Sequence, residues 1–246
     1  MFFGHTMPMA KSEKSFWNKE YAHGGHLALS TEPSGELLIF EKWFEKEYGT
    51  GIFSYTTVLD IGCGNGRNLI HLAKTYGSQG SGFDNSDEAI RQAKKAGVVL
   101  STISFSVHDI REPLPFPDAS FDLVLDLMVS HHLSKKEHVL YMKEVLRVLK
   151  PDGWILWKTL LLDDDAHSRK MIADSHKKGD VSKDDLHGYI HPSFGHYEYV
   201  WSEEELREYV DPFFKVRTLR RSHGHRSDTG EERKRRYMVA YLERKN

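Results

Sequence analysis

Residues 56–74, TTVLDIGCGNGRNLIHLAK, set Gly62, Gly64 and Gly66 between an apolar run and a helical one. A strand that enters so bare a turn and reopens as a helix constrains the fold more than any other stretch. It leaves backbone N–H groups at the carboxyl end of a strand, where a ligand can lie against them. Short apolar runs alternate with longer helical patterns on either side, the sign of βαβ units and a largely parallel sheet. The runs predict strands at 56–61, 79–84, 102–107, 120–126 and 153–162. Between the last two, SKKEHVLYMKEVLRVLKPDG predicts a helix. Ser134 is its N-cap, Glu137 completes a capping box, Val139, Met142, Leu146 and Leu149 form its inner face, and Pro151 with Gly153 stop it. After residue 200 a helix, SEEELREYV, precedes the runs FFKVRTLRRSH and RRYMVAYLERK, which are too close in sequence for a crossover helix and are expected to pair antiparallel.

The chain of 246 residues reads as one domain: a helical lead-in over 1–50, a core over 51–162, an insertion over 163–200, and a C-terminal helix with a β-hairpin over 201–246. A net charge of −2 gives no global attraction to nucleic acid or acidic lipid, so any charge argument must be local. The single cysteine, Cys63, cannot form an internal disulfide, and the first residues lack the apolar core of a signal peptide, so a reducing, cytoplasmic setting is expected. No apolar run reaches the ~20 residues of a membrane helix, and no membrane partner is expected.

Two ligand classes compete for the glycine loop. The dinucleotide fingerprint requires glycine where this chain has Arg67, whereas the pattern here is D-x-G-x-G-x-G, opened by Asp60. A carboxylate there suits a ligand carrying a cationic amine and sits badly beside a pyrophosphate. That points to S-adenosylmethionine. In an open parallel sheet the ligand lies beyond the carboxyl ends of the strands, and Asp60, Asp84, Asp109 and Asp126 all fall at such ends. For any one of them alone, the competing reading is an aspartate that caps the next turn.

VLDIGCGNGRN, GFDNS and VHDIREPLPFPDASFDLVLD together, in this order and spacing, resemble the motifs of the class I, Rossmann-like S-adenosylmethionine-dependent methyltransferases. The likeness is to the small-molecule branch that includes ubiquinone- and menaquinone-biosynthesis and tellurite-resistance-type enzymes. The resemblance implies an α/β, mostly parallel seven-stranded sheet with helices on both faces and a C-terminal antiparallel hairpin. It implies S-adenosylmethionine as cofactor and S-adenosylhomocysteine as product. Asp60, Gly62, Cys63, Gly64 and Gly66 would then enclose the methionine moiety, Asp84 the ribose hydroxyls, Asn85, Asp109 and Ile110 the adenine, and the turn from Asp126 to Met128, with Leu127 inside it, the methionine moiety again. In related enzymes the lead-in folds across the cofactor, which assigns Trp17 and Tyr21 to it; ordinary packing of an amphipathic helix explains the same pair.

Methyl transfer to a nitrogen or sulfur needs no general base, but transfer to a hydroxyl is helped by one. His131 and His132, after the fourth strand, are the candidates, against a structural role for either. Substrate contacts are expected from the insertion, read as a lid, through Tyr189, His191, Tyr197 and Tyr199. Gly188 and Pro192 argue against a regular helix presenting His187 and His191 to a metal, so no metal is expected. The basic run over 220–236 either recognises an anion or pairs with its own acids. The expected partner is a small molecule. The alternatives are an RNA or protein acceptor docked on that basic run, or a cofactor-binding subunit without catalysis. The acceptor atom and oligomeric state are not legible in the sequence.

Overall fold

The computed structural model describes residues 9–25, 29–49, 53–54, 56–223 and 236–245, with side chains from residue 13 onward and His223 excepted. Its centre is a seven-stranded sheet in the order β3-β2-β1-β4-β5-β9-β8. The strands are β1 (Thr57–Ile61), β2 (Gln79–Asp84), β3 (Ile103–Val107), β4 (Phe121–Leu127), β5 (Leu149–Leu160), β8 (Phe214–His223) and β9 (Arg236–Arg244). The first five run parallel, and β9 enters antiparallel between β5 and β8. The order reverses beside β1, between β2 and β4, and this opens a crevice at the carboxyl ends of those strands. Both the parallel core and the antiparallel C-terminal pair match the expectation from sequence.

Buried Val58, Leu59, Leu123, Val124, Leu125 and Leu156 fill the middle of the sheet, which is covered on both faces. One face carries α3 (Arg67–Tyr76), α4 (Asp87–Ala96) and α2 (Gly35–Tyr48), whose Phe40 and Phe44 are buried. The other carries α5 (Lys135–Val148) and α7 (Glu203–Val210). Ser134 and Glu137 form the expected capping box on α5.

Of the expected inner face of α5, Met142 and Leu149 are buried and Leu146 packs against the core, whereas Val139 does not face inward. His138, Tyr141, Met142, Val145 and Val148 point inward, while Val139 is 47% exposed. The opposing surface is aromatic, and the His138 ring meets Trp157, Tyr199, Trp201 and Tyr209. The helix also ends at Val148, before Pro151. The chain passes directly into β5, and a register irregularity against β4 accommodates Lys150–Gly153.

The lead-in forms α1 (Met9–His23) and α2, as expected. The insertion has structure of its own: α6 (Ala166–Lys178), then a two-stranded antiparallel hairpin of β6 (Gly188–Ile190) and β7 (Tyr197–Tyr199). No helix among the described residues is long and apolar enough to cross a membrane.

Candidate functional site

A cavity of about 340 Å³ occupies the crevice at the carboxyl ends of β1, β2 and β4, with α1 closing it from outside. Its floor is the glycine loop. Gly62 and Gly64 have φ of +58° and +56°, the left-handed region that side chains rarely adopt. A Cβ at Gly62 would strike Val129, and one at Gly64 would strike the Tyr21 hydroxyl. The loop is therefore bare because α1 and the turn after β4 press directly on it.

Asp60 lies at the end of β1 in the cavity wall, 1% exposed. Its Oδ2 has no hydrogen-bond partner among the described residues. Burial pushes its carboxyl up to about 7, against the Leu69 N–H and the Arg67 charge, which favour ionisation. A buried carboxylate oxygen with nothing to accept from calls for a donor from a ligand, and an ammonium satisfies both its charge and its lone pair. Asp84, at the end of β2, accepts from the Gly64 N–H at 3.0 Å and from the Ser86 N–H at 2.9 Å. Those bonds leave lone pairs on both oxygens for ligand hydroxyls. Burial pushes Asp84 up to about 6, partly offset by the backbone donors.

Of the residues expected to hold cofactor, Trp17, Tyr21, Asp60, Gly62, Cys63, Gly64, Asp84, Asn85, Ile110 and Leu127 line this one cavity. Burial pushes the Cys63 thiol up, so it stays neutral as a small apolar wall. Gly66, Asp109 and Asp126 stand outside. Gly66 supports the loop from beneath, where a Cβ would come within 2.7 Å of Phe105. Asp109 holds the Arg111 N–H at 2.9 Å and lines a neighbouring groove, across Asn85 and His108 from the cavity. Asp126 is buried with its carboxylate occupied by the Val129 and Ser130 N–H groups, each at 3.2 Å, and by the Tyr141 hydroxyl at 2.7 Å. It caps its own turn, the competing reading for a strand-end aspartate.

His132 lines the cavity and His131 sits behind it, the two rings 4.0 Å apart. The His132 Nδ1 lies 3.1 Å from the Tyr197 carbonyl oxygen. A carbonyl only accepts, so Nδ1 carries a proton, and Nε2 is the ring nitrogen left to accept one.

The expected substrate residues of the insertion do not line the cavity. Tyr189 is fully buried and donates to Glu198, Tyr199 donates to Glu205 at 2.7 Å, and Tyr197 donates to Asp185 at 2.7 Å. His191 stacks on Phe194 at 4.1 Å. The insertion reaches the site through its hairpin loop instead. Phe194 and His196 lie 5.2 and 4.5 Å from Phe16 on α1, and His196 also meets Trp17 and His132. Burial pushes His196 down to about 4, so it is a neutral ring in an aromatic cluster. His187 bonds Glu205, and no group of three or more His, Cys, Asp or Glu among the described residues is arranged for a metal.

Sequence reasoning missed several wall residues. Glu13 is buried on α1 and takes the Arg111 guanidinium at 3.0 Å, tying the lead-in to the loop after β3. Their separation of 98 residues gave no local signal. Met128 belongs to the turn expected to face the methionine moiety and does line the cavity, but its φ of +71° is marked neither by its residue type nor by its neighbours. In the basic segment, Arg220 bonds Glu36, and Arg221 bonds Glu203 and Asp164. Arg226, Arg233, Lys234 and Arg235 lie outside the described residues.

Residues 58–153 match a family model described as a methyltransferase domain. The chain is 32% identical over 143 residues to 2-methyl-6-phytyl-1,4-hydroquinone methyltransferase of Synechocystis sp., an alignment covering 58% of this chain and 43% of that protein. It is 38% identical over 159 residues to ajmaline N-methyltransferase of Rauvolfia serpentina, covering 63% and 49%. The chain thus spans less than half the length of these curated relatives. A solved S-adenosylmethionine-dependent methyltransferase from Methanosarcina mazei superposes with a TM-score of 0.62 at 25% identity, over 76% of this chain and 92% of that one.

Proposed function

We propose that the protein transfers a methyl group from S-adenosylmethionine to a small-molecule acceptor, a reading supported by the match of residues 58–153 to a family model described as a methyltransferase domain. The observation that carries the reading is the buried Asp60 Oδ2, open to the glycine-loop cavity and without a partner among the described residues. The chemistry of the donor set fits that cofactor. Asp60 takes the ammonium, Asp84 takes ribose hydroxyls, and Ile110 with Asn85 takes the adenine. When bound, S-adenosylmethionine supplies a methyl group on a positively charged sulfur, open to attack by a nitrogen, oxygen or sulfur lone pair.

The chain's own work is alignment and exclusion of water. Trp17 and Tyr21 cover the cavity from α1, and Phe194 with His196 brace α1 from outside. For a hydroxyl acceptor, His132 receives the acceptor's proton on Nε2, because its Nδ1–H is held by the Tyr197 carbonyl. The relatives support a small-molecule acceptor by name, and Arg220 and Arg221 are paired with acids rather than presented to a polyanion. The lone cysteine and the absence of an acidic-lipid attraction suit a cytoplasmic setting.

The test is incubation with cell extract and isotopically labelled methyl donor. Label in a low-mass compound supports the reading. Label in RNA or protein assigns a macromolecular acceptor, and no label despite cofactor binding assigns a non-catalytic subunit. With an acceptor identified, His132→Gln should lower kcat about 100-fold for a hydroxyl acceptor and hardly at all for an amine or thiol.

A further inference from the structure

The turn after β4 has a second side. Leu127 and Met128 line the cavity, and beside them on β5 stands Lys158, which lies in register with Leu127 and whose carbonyl takes the Met128 N–H at 2.9 Å. Neighbouring strands are about 4.8 Å apart, so Lys158 springs from the rim of the cavity. Its side chain is largely buried, with the ammonium 3.7 Å from Glu36 Oε1, long for a hydrogen bond, and 4.7 Å from the centre of the Tyr237 ring. Glu36 is already engaged: one oxygen takes the Arg220 guanidinium and the other the Ser222 hydroxyl at 2.9 Å. The charges that act most on Lys158 are thus two cations, Arg220 and the cavity-wall Arg67, against one carboxylate bonded elsewhere. Burial and those two cations hold the ammonium below the ordinary lysine range, with Glu36 opposing them. A largely buried ammonium in such company is short of a counter-charge.

Next to that ammonium the surface is apolar. Met128, Met171 and Ile172 of α6, and Tyr237 of β9 pack on a small core of Leu160, Leu162, Tyr189 and Val200, and each keeps part of its surface accessible. A ledge that starts at the cavity wall with Met128 and carries an under-compensated cation over Tyr237 is complementary to an amphiphilic acid. We infer that this ledge is the acceptor site, and that Lys158 binds an anionic group of a low-mass acceptor whose apolar body lies on Met128, Met171, Ile172 and Tyr237. The inference rests on the methyl-transfer reading above and names its substrate class. Met128 is the link between the two sites: it belongs to the cavity wall and to the ledge, so an acceptor seated on the ledge has its near end where the methyl group is delivered.

The test uses the full chain with isotopically labelled S-adenosylmethionine and the low-mass filtrate of a cell extract, split on an anion exchanger at pH 8 before reaction. Acceptor activity is expected in the retained fraction, and activity confined to the flow-through would overturn the inference. With the retained fraction diluted in series as substrate, Lys158→Met should raise the apparent KM roughly 10- to 100-fold, the range of a hydrogen bond to a charged group, while kcat and S-adenosylhomocysteine affinity stay within about twofold. Lys158→Arg should recover much of the loss. Ile172→Glu, on a different element, should raise KM about fivefold by repelling the anion. A normal KM in a Lys158→Met variant that still binds S-adenosylhomocysteine would overturn the inference. Should Lys158→Met lose S-adenosylhomocysteine, Ile172→Glu decides, and an unchanged KM there overturns it as well. If no fraction takes up label, the methyl-transfer reading itself fails and takes the inference with it, whereas a neutral acceptor defeats the inference alone.

Discussion

The cavity depends on two constructions that differ in what holds them, one lining it and the other bracing α1 from outside. The cradle at the ends of β1 and β2 is fixed by parallel register: Asp60 pairs with Gly82 and Ile61 with Phe83, and the Asp84 carboxylate ties back to the Gly64 N–H. The brace from the insertion is fixed by ring contacts of Phe194 and His196 against Phe16 and Trp17, and by one bond between the Tyr197 carbonyl and His132. Backbone pairing is cooperative with the whole sheet, whereas a few rings on the loop between two three-residue strands are held only by local contacts. The cradle is therefore the stiffer of the two, and we propose that it holds the constant ligand while the brace parts and closes around the variable one.

Substitutions that affect one construction and spare the other sharpen this contrast. The largest effect is expected in the cradle. Asp84→Ala should weaken S-adenosylhomocysteine binding by about 2 to 4 kcal/mol through lost charge-assisted hydrogen bonds, measured by calorimetry on protein whose circular dichroism is unchanged. Unaltered affinity in a folded variant would remove Asp84 from the site.

A smaller effect comes from protons. In the free protein the Asp60 carboxyl sits at about 7, above its ordinary value, so it is protonated below that pH and ionised above it. An ammonium needs the ionised form, so affinity for S-adenosylhomocysteine should rise about tenfold from pH 6 to pH 8 and then level off. Asp60→Asn should bind weakly with a flat profile. The same raised value disfavours folding from the unfolded carboxyl's titration upward, a penalty complete above pH 7. Asp60→Asn should consequently raise the melting temperature of the free protein at pH 8 and leave it unchanged at pH 3.

The smallest effect belongs to the brace. Phe194→Ala should lower kcat/KM for the acceptor roughly three- to tenfold, with S-adenosylhomocysteine affinity within about twofold, because the cofactor contacts lie elsewhere. Joint loss of both would show that the insertion is a fixed part of the cradle and erase the contrast.

The two constructions were unequally legible in the sequence. Strand ends in a parallel sheet share one edge, so Asp60, Asp84 and the glycine loop could be assigned to one crevice from spacing alone. What spacing could not give was the direction of a side chain at that edge. Asp126 satisfies the same rule, yet it turns inward to three donors supplied by Val129, Ser130 and Tyr141, the last of them 15 residues away. One position on the face of α5 was misplaced for a related reason: an aromatic box of Trp157, Trp201 and Tyr209 draws in His138 rather than the more apolar Val139. In the insertion, strands of three residues are too short for periodicity, and the abundance of tyrosine suggested a binding wall. Those tyrosines instead spend their hydroxyls on Glu198 within the hairpin, on Asp185 just before it and on Glu205 of α7.

The most direct test of the account is calorimetric titration of the full chain with S-adenosylhomocysteine and, separately, with NAD at pH 8, where Asp60 is ionised. The account predicts saturable one-site binding of S-adenosylhomocysteine that Asp84→Ala greatly weakens, and no heat of binding from NAD. Binding of NAD with no response to S-adenosylhomocysteine would contradict it.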